Sequence, residues 1–159
     1  MARRVCLAIL LSASLLAPVG VSKETPAAAS SCPATRPGSH TVPPSSLGVD
    51  PSERPAQRDW EWYGNPYLWT QIPPDGIYTV DRTMSVKVPW WRAVHGSLKI
   101  HGHRLGAPMP TLKPSIPGGY GSIGFHSTGI TFPRTGCWRV TGTVAGHRLS
   151  YVVRVKRRI

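Results

Sequence analysis

The sequence predicts an all-β fold, a β-sandwich of about seven strands, and three observations carry that prediction. From Trp60 onward, aromatic and β-branched residues come in short runs of strand length. Glycines and prolines separate those runs. No stretch keeps the period of an amphipathic helix, whereas several alternate apolar and polar residues with period two.

The first expected strand is YLWTQI, Tyr67 to Ile72, closed by PPDG, where proline presets φ and glycine completes a turn. GIYTV forms a short second one. In MSVKVPWW, Met84, Val86 and Val88 alternate with Ser85 and Lys87, so one face is buried and the other wet. Pro89 has no N–H to give to a ladder, which predicts that this strand lies at a sheet edge or ends there. SLKIHGHRL turns Leu98 and Ile100 one way and Lys99, His101 and His103 the other, and GITFP points Ile130 and Phe132 inward. The clearest pair comes last. Trp138, Val140 and Val144 share one face of GCWRVTGTV, Leu149, Tyr151, Val153 and Val155 share one face of the next run, and Ala145-Gly146-His147 connects them as a hairpin.

Upstream of this domain, expected over residues 59–159, the chain reads differently. MARRVCLAILLSASLLAPVGVS opens with two arginines, continues as an apolar run from Val5 to about Val21 and ends in small residues, the pattern of a secretory signal peptide over residues 1–29. A membrane anchor would need ~20 unbroken apolar residues. Residues 30–58 are rich in Pro, Ser and Ala and nearly devoid of large apolar side chains, so they read as a disordered tether. The expected location is therefore outside the cytoplasm, secreted or associated with the envelope.

Removal of Cys6 with the signal leaves Cys32 and Cys137, and two cysteines in an oxidising compartment predict one disulfide. Closing a loop of about a hundred residues is worth ~4 to 5 kcal/mol in the chain-entropy treatment. The alternative is a lipidated Cys32, because AASSC loosely resembles a lipobox, although it lies about ten residues past the apolar run. A reactive or metal-binding thiol pair lacks the C-x-x-C spacing.

Charge is distributed unevenly. All seven carboxylates precede residue 82, and from Arg82 to Ile159 there are nine arginines, four lysines and no acid. Charge of one sign over a small domain attracts polyanions within a Debye length of ~8 to 10 Å. Strand parity sets Arg139 beside Cys137 and places Arg148, Arg154 and Lys156 on one outer face, a candidate basic stripe for an anionic envelope polymer or a membrane surface. Nucleic acid is not the expected partner of an exported chain. The competing reading is a high pI that is incidental.

Gly119-Tyr120-Gly121-Ser122-Ile123-Gly124 satisfies G-x-G-x-x-G, but a dinucleotide turn needs a strand before it and a helix after it. Here Pro117 precedes, and Gly129, Pro133 and Gly136 follow, so the glycines are expected to shape a loop between strands. His101 and His103 share a strand face without a nearby carboxylate or thiolate, which predicts a solvated surface and no metal; no cofactor is expected. Paired-carboxylate catalysis would have to draw on Asp59, Glu61, Asp75 or Asp81 at the domain's entry, and no G-x-S-x-G elbow is present. Trp90 and Trp91 are adjacent, so a regular strand points them to opposite faces and leaves one exposed beside Arg92. With Tyr120 and His126 from the glycine loop they make a candidate ligand surface: Trp90, Trp91, Arg92, Tyr120 and His126. The competing role for each of these aromatics is core filler.

The runs LWTQIPPDGIY, SVKVPWWR, LKIHGHRLGAPMP and above all GYGSIGFHSTGITFPRTGCW resemble a family of small exported bacterial proteins, often predicted lipoproteins, of unassigned function. The resemblance covers about residues 62 to 155 and implies an immunoglobulin-like β-sandwich, with PRTGCW similar to the corner before the sixth strand. It also implies an N-terminal cysteine pairing with the one in GCW, in keeping with Cys32 and Cys137. Relatives are expected to carry acidic residues where this chain has His103, Arg139 and His147, so a polyanion role would not extend to the group. The functional expectation is a secreted, non-enzymatic binding module at the cell envelope. The alternatives are direct polyanion binding by the basic half, and an envelope hydrolase or small-ligand carrier with a cleft around Tyr120 and His126.

Overall fold

The computed structural model describes residues 31–38 and 59–158. The expected signal region and most of the expected tether lie outside the described residues. In chain order the strands are β1 (Glu61–Asn65), β2 (Leu68–Ile72), β3 (Ile77–Val80), β4 (Ser85–Arg92), β5 (Lys99–Arg104), β6 (Ala107–Thr111), β7 (Lys113–Ser115), β8 (Gly124–Thr131), β9 (Gly136–Val144) and β10 (His147–Arg157). They form two five-stranded sheets, ordered β1-β2-β4-β8-β7 (sheet A) and β3-β10-β9-β5-β6 (sheet B), and the described residues contain no helix.

The seven runs read as strands all lie on strands, and β1, β6 and β7 raise the count to ten. All three are sheet edges. Their sequences, EWYGN, APMPT and KPS, carry glycine or proline where alternation would be read, and an edge strand tolerates this because one side of its ladder is open. The expectation for Pro89 is met in one part and corrected in the other: β4 does not end there but runs on to Arg92, while Pro89, paired with Ser127 of β8, has no pairing partner on the β2 side. The β2 ladder stops at Thr70 opposite Trp90, and the Thr70 hydroxyl then donates to the Pro89 carbonyl at 3.0 Å. A missing N–H is harmless where the neighbouring ladder has already ended.

The core fills the space between the sheets, with Leu68, Val88, Trp90 and Ile130 from sheet A and Trp138, Val140, Tyr151 and Val153 from sheet B. Trp90 fits only because its facing residue is glycine: a Cβ on Gly142 would come within 2.4 Å of the indole. The Tyr78 hydroxyl donates to that of Tyr151 at 3.2 Å, and burial holds both phenols protonated well above their usual range. β9 and β10 join through Ala145 and Gly146 alone, because His147 already pairs with Val144. Both connecting residues have positive φ, 44° and 83°, as the twist of a two-residue hairpin requires.

Cys32 and Cys137 form a disulfide with Cα atoms 5.6 Å apart. The stretch after it stays on the domain: Thr35 N–H donates to Val152 O at 2.8 Å, and Val152 N–H donates to the Thr35 hydroxyl at 2.9 Å. These bonds continue the edge that β3 provides farther along β10.

Register fixes which connections meet. β1 runs against β10, since Asn65 donates to Arg148 O and Tyr63 to Ser150 O. The turns 66–67, 93–98, 116–123 and 145–146 therefore gather at one end, the glycine-loop end. After Ile72 the chain crosses from sheet A to sheet B and proceeds as β3 parallel to β10. Below that crossover, residues 85–89 of β4 have no pairing partner on the β2 side.

Candidate functional site

The outer face of sheet B is cationic. Alternation puts Arg148, Arg154 and Lys156 on one side of β10, and pairing sets Arg139 opposite Val152 on the same side. On β5, Lys99 and His101 stand opposite Thr143 and Thr141, and His103 opposite Arg139. None of these seven side chains is buried, although Arg154, cross-strand from Cys137, is half covered. Among the described residues this face carries no carboxylate. At ~3.3 Å per residue the row from Arg148 to Lys156 spans about 26 Å, and strands ~4.8 Å apart keep the charges within a Debye length of their neighbours. Such a surface acts on an anionic partner collectively. His101 and His103 are part of it, and the described residues contain no group of three His, Cys, Asp or Glu placed to hold a metal.

The candidate ligand surface at the glycine loop comes together differently from its sequence reading. Trp90 is 0% exposed, inside the core, and Trp91 is 7% exposed on the outer side of sheet A, cross-strand from Trp69 and Phe125. The two indoles do point to opposite faces, but neither is a surface aromatic. The outer position is covered as well, and the Trp91 indole N–H has no partner among the described residues. Arg92, 2% exposed, is a clamp: it donates through Nη1 to Gly96 O at 3.1 Å, through Nη2 to Gly121 O, and through Nε to Gly124 O at 3.4 Å. Burial lowers its pKa below that of a free guanidinium. The planar fork of five N–H donors suits this task, because three carbonyls from two loops converge on one side chain.

His126 completes the fastening. Its Nε2–H donates to Pro117 O at 2.9 Å, its buried Nδ1 has no partner among the described residues, and the half-exposed Tyr120 ring stacks on it at 4.4 Å. His95 Nδ1 and the Ser122 hydroxyl are 2.8 Å apart, and Gly96 N–H donates to Ser122 O. Gly119 and Gly124 have positive φ, 89° and 84°, and the loop runs directly into β8 with no helix behind it. It therefore lacks the helix N-terminus that holds a pyrophosphate. The sequence reading overlooked what the clamp leaves outside: Ile123 and Phe125, 44% and 38% exposed, together with Tyr67, 42% exposed and stacked on His147 at 3.7 Å. The signal was legible only as two apolar residues flanking Gly124.

A groove of about 670 Å³ lies at the crossover, where β2 leaves sheet A. It collects Asp59, Asp75 and Asp81 with Trp60, Lys87 and Arg158. Two of the carboxylates serve the backbone. Asp75 accepts from Ile77 N–H at 2.9 Å, and Asp81 accepts from Thr83 N–H at 2.8 Å and from the Thr83 hydroxyl. Those Thr83 bonds hold the Asp81 carboxyl below its usual pKa.

No protein-family model matches this chain, and no curated protein matches it. Among solved structures it is similar to a crystal structure described as a "putative lipoprotein" from Bacillus anthracis, at 12% identity and a TM-score of 0.42, over 70% of this chain and 91% of that one.

Proposed function

We propose that this protein is an exported binding module of the cell envelope, made of a signal region (1–29), a tether (30–58) and an immunoglobulin-like β-sandwich (59–159), and that the outer face of sheet B docks on an anionic, phosphate-bearing surface. The observation that carries this reading is the set of five Arg or Lys and two His side chains on one sheet face, with no described carboxylate among them. A cationic face offers an anionic partner attraction and register, the means of binding. The Cys32–Cys137 bridge supports an oxidising compartment. The sandwich reading is supported by two facing, mostly antiparallel five-stranded sheets with the core between them.

The test is binding of the exported protein to isolated envelope fractions at low and high salt, alongside an R139E/R148E/K156E variant. Affinity should fall steeply with salt, and the variant should lose most of it. Salt-insensitive binding, or a variant that binds as well as the parent, would sink the reading.

A further inference from the structure

We propose that the anionic surface is a lipid bilayer met end-on: the glycine-loop end inserts, with Tyr67, Tyr120, Ile123 and Phe125 as the inserting side chains, and the loop-end cations of the sheet B face, Lys99 and Arg148, meet the headgroups while the rest of that face stands away from the bilayer. This rests on the anionic-surface reading and adds the identity of the surface and the part of the protein that enters it. Six large apolar side chains are exposed among the described residues, and these four share one end of the strands. Tyr67 O accepts from Ala93 N–H, and Arg92 pairs with Gly124, so Tyr67 and Ile123 flank the end of β4 on neighbouring strands, about 10 Å apart. Two of the four are tyrosines, whose apolar ring and polar hydroxyl suit the boundary between headgroups and acyl chains.

The charges at this end match that partner. Lys99 and Arg148 begin β5 and β10 beside the loops and are exposed, and His95 and His147 stand among them. All four described carboxylates lie elsewhere: Asp59, Asp75 and Asp81 in the crossover groove, and Glu61 opposite Ile72, four residues or about 13 Å along β1 from Asn65. A negatively charged membrane therefore meets cations and apolar rings together and no acid. The loop is also prepared for insertion, because Arg92 and His126 satisfy the carbonyls of Gly96, Pro117, Gly121 and Gly124 from below. Backbone polar groups bonded in advance lower the cost of leaving water.

The experiment measures the exported protein and its Ile123→Ser variant against three probes: vesicles of phosphatidylcholine mixed with phosphatidylglycerol, vesicles of phosphatidylcholine alone, and soluble long-chain polyphosphate. Ile123 is exposed, so the substitution spares the core, and thermal melting verifies this. The parent should bind the phosphatidylglycerol vesicles far better than the neutral ones. The variant should lose roughly tenfold in vesicle affinity and keep its affinity for polyphosphate. Equal loss on both probes, no loss on vesicles, or binding of polyphosphate without vesicles would overturn insertion while leaving the charged face intact. Binding to neither probe removes the charged-face reading itself, and insertion with it.

Discussion

The glycine-loop end and the crossover groove use charge in opposite ways. At the first, a guanidinium turns inward and spends its donors on carbonyl groups, so that the surface is left to Tyr67, Tyr120, Ile123 and Phe125. At the second, carboxylates stay at the surface and accept from backbone N–H groups in turns, within an open groove that also holds Lys87 and Arg158. One end turns a guanidinium inward and displays apolar side chains beside the surface cations Lys99 and Arg148; the other keeps carboxylates and cations together at its surface. A residue's chemistry therefore does not set its role: Arg92 and Arg148 are the same side chain, one a fastener and the other a surface cation.

The largest expected effect lies on the groove side of this comparison. Cys32→Ser opens a loop with a sequence separation of 105 and should cost about 4 kcal/mol in urea denaturation of the oxidised protein. It should also free Thr35 from Val152, read as faster amide exchange at Val152, with little change at Gly96. A loss below ~1 kcal/mol would mean that the 31–38 stretch is not coupled to the domain. Next comes the clamp. Arg92→Met keeps the bulk but strips three carbonyls of their donor, and should cost about 2 to 3 kcal/mol and expose the 117–123 loop to proteolysis, with the groove unaffected. Cleavage no faster than in the parent would show that the loop is held without Arg92. The smallest effect belongs to Asp81→Asn. Because the folded carboxyl titrates lower than an unfolded one, its contribution is present above the unfolded value and fades as pH falls through the folded one. The variant should flatten the acid limb of the stability profile, and an unchanged limb would separate Asp81 from acid unfolding.

Much of this was open to inspection in the linear chain. Alternation located β4, β5, β8, β9 and β10, because a half-buried strand must alternate in order to bury one face, and strand-length runs about the PPDG turn located β2 and β3. The same parity placed Arg148, Arg154 and Lys156 on one side of β10. The edge strands β1, β6 and β7 escaped, since Gly and Pro break alternation where only one neighbour constrains the strand. Adjacent tryptophans showed that Trp90 and Trp91 face opposite ways, but not that both are covered.

By itself the sequence determined strand character, facing and the uneven distribution of charge along the chain, because these follow from local periodicity and composition. Only the tertiary structure decided that Arg92 closes on Gly96, Gly121 and Gly124, that three early aspartates meet in one groove, and that four apolar side chains share one end. Those outcomes depend on sheet order and register. They bring together residues far apart in the chain, and no local pattern encodes a distance between strands that are not neighbours in sequence.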